Sequence, residues 1–191
     1  MKLKTLSSEK AVFRKNITRF VPVWAIYSVF LLISLMTIRG NNNMNGLPHA
    51  LADFSSFMCF VNGAYALVCA LTLFGDLFNS RMCNAIHALP LRRESWFAVH
   101  VAAGVLFSLV PNGVFALLQM LLCGDWFHVG LLWLAIQTLE YLFFFGLAVL
   151  CMLLVGNRFG GIVAYGGLSF LSMLVWCVAE VLFVPMMYGV E

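Results

Sequence analysis

The sequence predicts an all-α polytopic membrane protein of five transmembrane helices, with the N-terminus inside and the C-terminus outside. Three observations predict it. Stretches 20–38, 54–75, 96–124, 126–157 and 159–179 contain no Asp, Glu, Lys or Arg apart from Glu140. At ~1.5 Å rise per residue each can cross a hydrocarbon core ~30 Å thick. Basic residues alternate across these stretches. Lys2, Lys4, Lys10, Arg14, Lys15 and Arg19 precede the first, Arg81, Arg92 and Arg93 separate the second from the third, and Arg158 separates the fourth from the fifth. Only Arg39 lies in an odd-numbered gap. Positively charged loops stay in the cytoplasm, which sets the direction. Finally, the chain is 63% hydrophobic and 10% charged, with a mean hydropathy of +0.97. That leaves too little polar surface to cover a soluble domain of 191 residues.

The net charge of +3 does not point to nucleic acid. The basic residues are spread along one membrane face instead of clustering beside aromatics, so they set orientation and meet anionic headgroups of the bilayer.

Residues 1–19 form a cytoplasmic segment, and the transmembrane domain occupies 20–191. Phe13, Ile17 and Phe20 recur at i, i+4 and i+7, while Lys10, Arg14, Lys15 and Arg19 take the other positions. Ser7 or Ser8 can cap such a helix, and Glu9 suits its positive end. It is expected to lie in the interface, aromatics toward the acyl chains and cations toward phosphate. A plain basic flank that only fixes topology accounts for the charges equally well. Pro22, lacking an amide hydrogen, marks the bend into the first span. That span ends in Met-Thr-Ile-Arg-Gly without a small-x-small site, so it reads as an uncleaved span and not as a signal peptide.

The first external loop, 39–53, carries Gly-Asn-Asn-Asn-Met-Asn-Gly and a Pro, a polar turn. The second is almost absent, centred on Gly124 and Asp125. Trp24 and Trp96 mark inner boundaries and Trp126 and Trp176 outer ones; Trp133 does not fit. Pro111 interrupts the third span and is expected to kink it and free the carbonyl one turn earlier. Gly104, Ser108 and Asn112 form a small or polar ridge at i, i+4 and i+8, and Ala66 and Ala70 a similar one on the second span. Such ridges let neighbouring helices approach closely.

Cysteine and histidine carry no metal or disulfide signal. Cys59, Cys69, Cys123, Cys151 and Cys177 fall in or at the ends of apolar stretches, and Cys83 is on the cytoplasmic side, where thiols stay reduced. There is no C-x-x-C, and His49, His87, His100 and His128 stand apart. Neither a metal ligand set nor a catalytic residue is predicted.

The most informative hydrophilic stretch is 76–95, DLFNSRMCNAIHALPLRRES. Phe78, Met82, Ala85 or Ile86, and Leu89 recur at helical spacing, with Asn79, Ser80, Arg81, Asn84 and His87 on the other face. Pro90 disfavours helix at Leu89 and ends the piece. Hairpin connections need only a few residues. A short cytoplasmic amphipathic helix is predicted here.

SRMCNAIHALPLRRESWF, a span carrying LVPN and a beginning of the type AVFRKNITRFVPVWAIY together resemble the membrane subunits of ABC-2 type (exporter-like) ABC transporters of Gram-positive bacteria. FFFGLAVLCMLLVGNRFGGIVAYGGLSFL is similar to that family's fourth and fifth spans. The resemblance implies that 79–89 is a coupling helix docking on a separate ATP-hydrolysing subunit, which would carry the ATP and magnesium. The contact would fall on Asn79, Ser80, Arg81, Asn84, His87, Leu89 and Pro90. It implies that Phe13, Arg14, Lys15, Ile17 and Arg19 belong to a connecting helix, that a second permease subunit pairs with this one, and that the site of action is a bacterial plasma membrane. The family has six spans, so the chain is expected to lack a sixth.

No Walker-type phosphate loop is present; the glycines at 156, 160 and 161 surround Asn-Arg-Phe without Lys-Ser/Thr. Transport function therefore needs a partner ATPase. The alternatives are a substrate-capturing membrane subunit of a vitamin uptake system, a small intramembrane enzyme, or an immunity-type membrane protein. The second lacks support because Gly167-Leu168-Ser169-Phe170 has no second Gly, and Glu140 has no His near it in sequence. The Leu-Pro-terminated cytoplasmic helix speaks against the first.

Glu140 lies fifteen residues from Asp125 and eighteen from Arg158, or roughly 22 and 27 Å along a helix. A charge at that depth costs at least ~2.5 kcal/mol. It is expected to be neutral and hydrogen-bonded, or to face a cavity, with Asn112 and Gln137 as the expected polar neighbours.

Overall fold

The computed structural model describes residues 12–41, 47–78, 93–122 and 127–187. Every regular element among them is helical: α1 (Val12–Arg19), α2 (Val21–Asn41), α3 (Leu47–Phe74, prolonged by a 3-10 turn, Gly75–Phe78), α4 (Arg93–Leu122), α5 (Phe127–Val155) and α6 (Arg158–Met187). Among the described residues α3 to α6 are each long and apolar enough to cross a membrane, and α1 with α2 makes a fifth span only as one bent pair. Two boundaries differ from expectation. The polar loop expected over 39–53 is shorter, because α2 runs to Asn41 and α3 starts at Leu47. Pro48 sits in the first turn of α3, where its missing amide hydrogen has no intrahelical partner to lose. The last helix continues to Met187, past the expected 179.

The joints follow from single residues. α1 and α2 meet at 53°. There the Phe20 amide donates to Asn16 O at 3.2 Å, and Phe20 O accepts from Val23 and Trp24 at 3.0 and 3.5 Å. Pro22 cannot continue the ladder across this point. α5 ends on Gly156, whose φ of 67° is costly for any residue with a Cβ. Its amide donates to Met152 O at 3.0 Å. Asn157 then caps α6: its Oδ1 accepts from the Phe159 amide at 3.4 Å, and its carbonyl from Gly161 at 2.8 Å.

One end of the bundle gathers four helix ends. Arg19, at the end of α1, donates to Asp76 Oδ2 at 2.9 Å. Arg158, at the start of α6, donates to Gly75 O through Nε (3.2 Å) and its terminal nitrogen. Phe74 meets Trp96 and His100, near the start of α4, at centroid distances of 6.1 and 5.9 Å. So α2, α4 and α6 start where α3 and α5 finish, an up-and-down bundle.

The core is apolar and close-packed. Leu31, Met58, Ala66, Ala70, Phe74, Phe115, Ala148 and Met152 are fully buried, while Ile33, Leu139, Phe143 and Phe170 point outward, as side chains facing lipid do. Gly104 lets α5 press onto α4; a Cβ there would run into the Phe145 ring. α6 is peripheral, with most of its apolar side chains between Arg158 and Val175 exposed.

Candidate functional site

In a charge-poor helical bundle the informative atoms are the buried polar ones. All six helices carry such groups here, and four of them converge. Tyr27 (α2) places its hydroxyl 2.9 Å from Asn62 Oδ1 (α3) and 3.0 Å from Asn112 Oδ1 (α4). Asn62 Nδ2 donates to Gln137 Oε1 at 2.7 Å and to Glu140 Oε2 at 3.3 Å, both on α5. Asn112 Nδ2 donates to Ser108 Oγ, one turn back, at 3.0 Å. Asn62, Ser108, Asn112 and Gln137 are fully buried, whereas Glu140 keeps part of its surface exposed. The cluster lies about 20 Å along α3 from Gly75 and about 22 Å along α5 from Val155.

A hydroxyl has one proton to give, so Tyr27 cannot donate to Asn62 and Asn112 at once. Turning the Asn112 amide over offers a second pattern, in which Ser108 donates to Asn112 Oδ1 and Asn112 Nδ2 donates to Tyr27. Heavy atoms barely move between the two patterns. Gln137 Nε2 is buried without a partner, a spare donor beside Asn62. The cluster can therefore exchange hydrogen bonds among four helices.

A second set of bonds runs from tyrosine hydroxyls to backbone. Tyr65 donates to Phe107 O at 2.9 Å, Tyr141 to Gly104 O at 2.9 Å and Tyr165 to Gly63 O at 2.8 Å. The Tyr27 and Tyr65 rings stack at 4.0 Å and 6°, and Tyr141 lies 5.7 Å from Tyr65. Each tyrosine fills the core with its ring and ties its tip to another helix.

The expected site residues distribute unevenly. Asn79, Ser80, Arg81, Asn84, His87, Leu89 and Pro90 lie outside the described residues. Phe13, Arg14, Lys15, Ile17 and Arg19 are on α1, with Arg14, Lys15 and Arg19 exposed and Phe13 and Ile17 partly buried. The apolar pair packs against the bundle core. Glu140 and Asn112 belong to one cluster, yet they do not touch in this arrangement; the direct partner of Glu140 is Asn62, which the sequence reading did not single out. The missed signal was available. An Asn in a span with no charged residue is itself a candidate interhelical donor, as are the tyrosines at 27, 65 and 141.

Among the described residues no three His, Cys, Asp or Glu side chains come together. The described chemistry is hydrogen-bond exchange around one carboxyl group. No family model, curated protein or solved structure matches this chain.

Proposed function

We propose that the chain is the membrane-spanning permease subunit of an ATP-binding-cassette transporter, coupling ATP hydrolysis on a separate subunit to export of a substrate across a bacterial plasma membrane. The reading rests on the resemblance carried by 76–95, and one structural observation supports it. The end of α3, from which that segment departs, is clamped on two sides, by Arg19–Asp76 to α1 and by Arg158–Gly75 to α6. A push on the segment is delivered to three helices at once.

In this reading a partner ATPase, holding ATP and magnesium, pushes on the helix at 79–89 through Arg81, Asn84 and His87. α3 shifts against α2, α4 and α5 as packed rigid bodies. The cluster around Asn62 is where that shift has to be absorbed, and its alternative bonding patterns give it two resting states. A second permease subunit completes the path.

Crosslinking from a cysteine at Asn84 to a co-expressed ATPase is the direct test. Arg81→Glu is expected to abolish complex formation and ATPase stimulation. Unchanged complex formation in that variant refutes the reading.

A further inference from the structure

Five side-chain contacts join the polar cluster: Ser108–Asn112 (3.0 Å), Asn112–Tyr27 (3.0 Å), Tyr27–Asn62 (2.9 Å), Asn62–Gln137 (2.7 Å) and Asn62–Glu140 (3.3 Å). Tyr27 holds the middle and has a single proton to give. If it donates to Asn62, Asn112 has to turn its amide and give a hydrogen to Tyr27. If it donates to Asn112, Asn62 has to turn and do the same. Two arrangements follow, on the same heavy-atom contacts.

The charge on Glu140 decides between them. An ionised carboxylate only accepts, so Asn62 must keep Nδ2 toward it. Every bond then points at the acid: Ser108 donates to Asn112, Asn112 to Tyr27, Tyr27 to Asn62, and Asn62 to both Glu140 and Gln137 Oε1. Gln137 Nε2 stays buried with no partner. A protonated Glu140 has a hydrogen of its own, and leaving it unplaced in a membrane interior is costly. Turning Asn62 presents Oδ1, with its two lone pairs, to that hydrogen and to Nε2 of a turned Gln137. Asn62 then donates to Tyr27, Tyr27 to Asn112, and Asn112 to Ser108. All five contacts are kept with their directions reversed, and the idle Gln137 nitrogen is used.

Among the described residues no Lys, Arg or His competes for Glu140. The titratable groups that face it are Tyr27 on α2 and Cys59 on α3. Tyr141, beside it on α5, bonds away to Gly104 O. On α4, Arg93, Glu94 and His100 lie roughly 18 Å or more along the helix from Asn112. On α6, Tyr165 is bonded to Gly63 O and Arg158 to Gly75 O. The ion pair Arg19–Asp76 stands at the end of the bundle. Glu140 keeps part of its surface exposed, and ionised groups at membrane depth draw water to themselves. A proton can therefore be exchanged without unpacking the core.

We propose that Glu140 is a proton-binding site whose occupancy sets the direction of a hydrogen-bond chain through α5, α3, α2 and α4. The proton comes from the medium and rests on one Glu140 oxygen. Every amide and hydroxyl keeps its own hydrogens and only turns. The inference concerns this chain alone and does not use the ATPase reading.

The test follows the full chain in phosphatidylcholine nanodiscs by NMR from acid to alkaline pH, with isotope-labelled glutamate carboxyl groups and Asn and Gln side-chain amides. The Glu140 carboxyl carbon is expected to titrate, and the amide nitrogens of Asn62, Gln137 and Asn112 to shift with the same midpoint. Glu140→Gln should abolish all three shifts. Tyr27→Phe cuts the chain, so Asn62 and Gln137 should still respond while Asn112 falls silent. The wild type alone can overturn the proposal. A carboxyl that does not titrate while the chain stays helical removes the site, and one that titrates while the three amides stand still removes the chain. An Asn112 response that persists in folded Tyr27→Phe would overturn the route through Tyr27.

Discussion

The hydroxyl of Tyr65 donates to the carbonyl of Phe107 at 2.9 Å, and Phe107 is the residue whose carbonyl Pro111 leaves without a helical donor. In a helix the amide at i bonds the carbonyl at i−4; at Pro111, buried inside α4, that amide has no hydrogen. A neighbouring helix thus repairs the ladder that a proline interrupts, as the apolar interior of a membrane protein requires.

Tyr65→Phe should therefore destabilise the bundle by about 1 kcal/mol, the scale of one lost interhelical bond. Pro111→Ala returns the amide hydrogen to Phe107. In that background Tyr65→Phe should cost clearly less, and a double-mutant cycle in denaturant-titrated micelles reads the difference. Equal costs in both backgrounds would show that Tyr65 contributes by packing alone.

At Gly104 the Phe145 ring of α5 occupies the place where a side chain would stand. Gly104→Ala should cost about 1–3 kcal/mol by overpacking. Adding Phe145→Leu should recover much of it. A thermal shift in detergent that moves down in the first variant and partly back in the second is the expected pattern.

Asn62 serves three partners at once, Tyr27, Gln137 and Glu140. Asn62→Leu takes a bond from all three and strands the buried Gln137 Oε1, and should cost about 2 kcal/mol, more than Asn112→Leu, whose described side-chain partners are Tyr27 and Ser108. Glu140→Gln keeps an acceptor for Asn62 and should assemble normally, whereas Glu140→Leu should not. Yield of monodisperse protein in detergent separates these variants.

The helices were legible because their signal is redundant: some twenty apolar residues without charge leave helix as the available form in lipid. The freed carbonyl before Pro111 and the close-packing ridge at Gly104 were legible for the same local reason. What the sequence did not show is which residue takes up each signal. Glu140 announced a buried acid, but its neighbours on α5 repeat every turn, and choosing Asn62 requires knowing how α3 is rotated and staggered against α5. Likewise Trp133 looked misplaced as an interfacial ring. It is buried, tilted against Phe115 at 4.5 Å and stacked on Phe54 at 6.3 Å; packing across α3, α4 and α5 sets its position, and no rule about headgroup level applies.

Orientation is a separate prediction, resting on the partition of basic residues. In a background stripped of native cysteines, an impermeant maleimide applied to intact cells should label a cysteine at Asn43 and leave one at Asn84 unlabelled. Labelling at Asn84 would reverse the bundle in the membrane.

The clamp at Asp76 makes the last prediction, and it concerns coupling, not stability. Arg19 is about half exposed and Asp76 about a quarter (48% and 26%), so the pair adds little to folding, on the order of 0–1 kcal/mol. Its value would lie in joining α1 to the end of α3 while a partner pushes there. Arg19→Glu replaces the attraction with like charges and should release that joint. If the chain is the proposed permease, the variant should fold and keep its ATPase partner, yet lose ATPase stimulation by substrate. Adding Asp76→Arg restores an opposite-charge pair and should restore stimulation. If Arg19→Glu alone stimulates normally, force does not pass from the segment after α3 to α1 through this contact, and Arg158–Gly75 becomes the route to test.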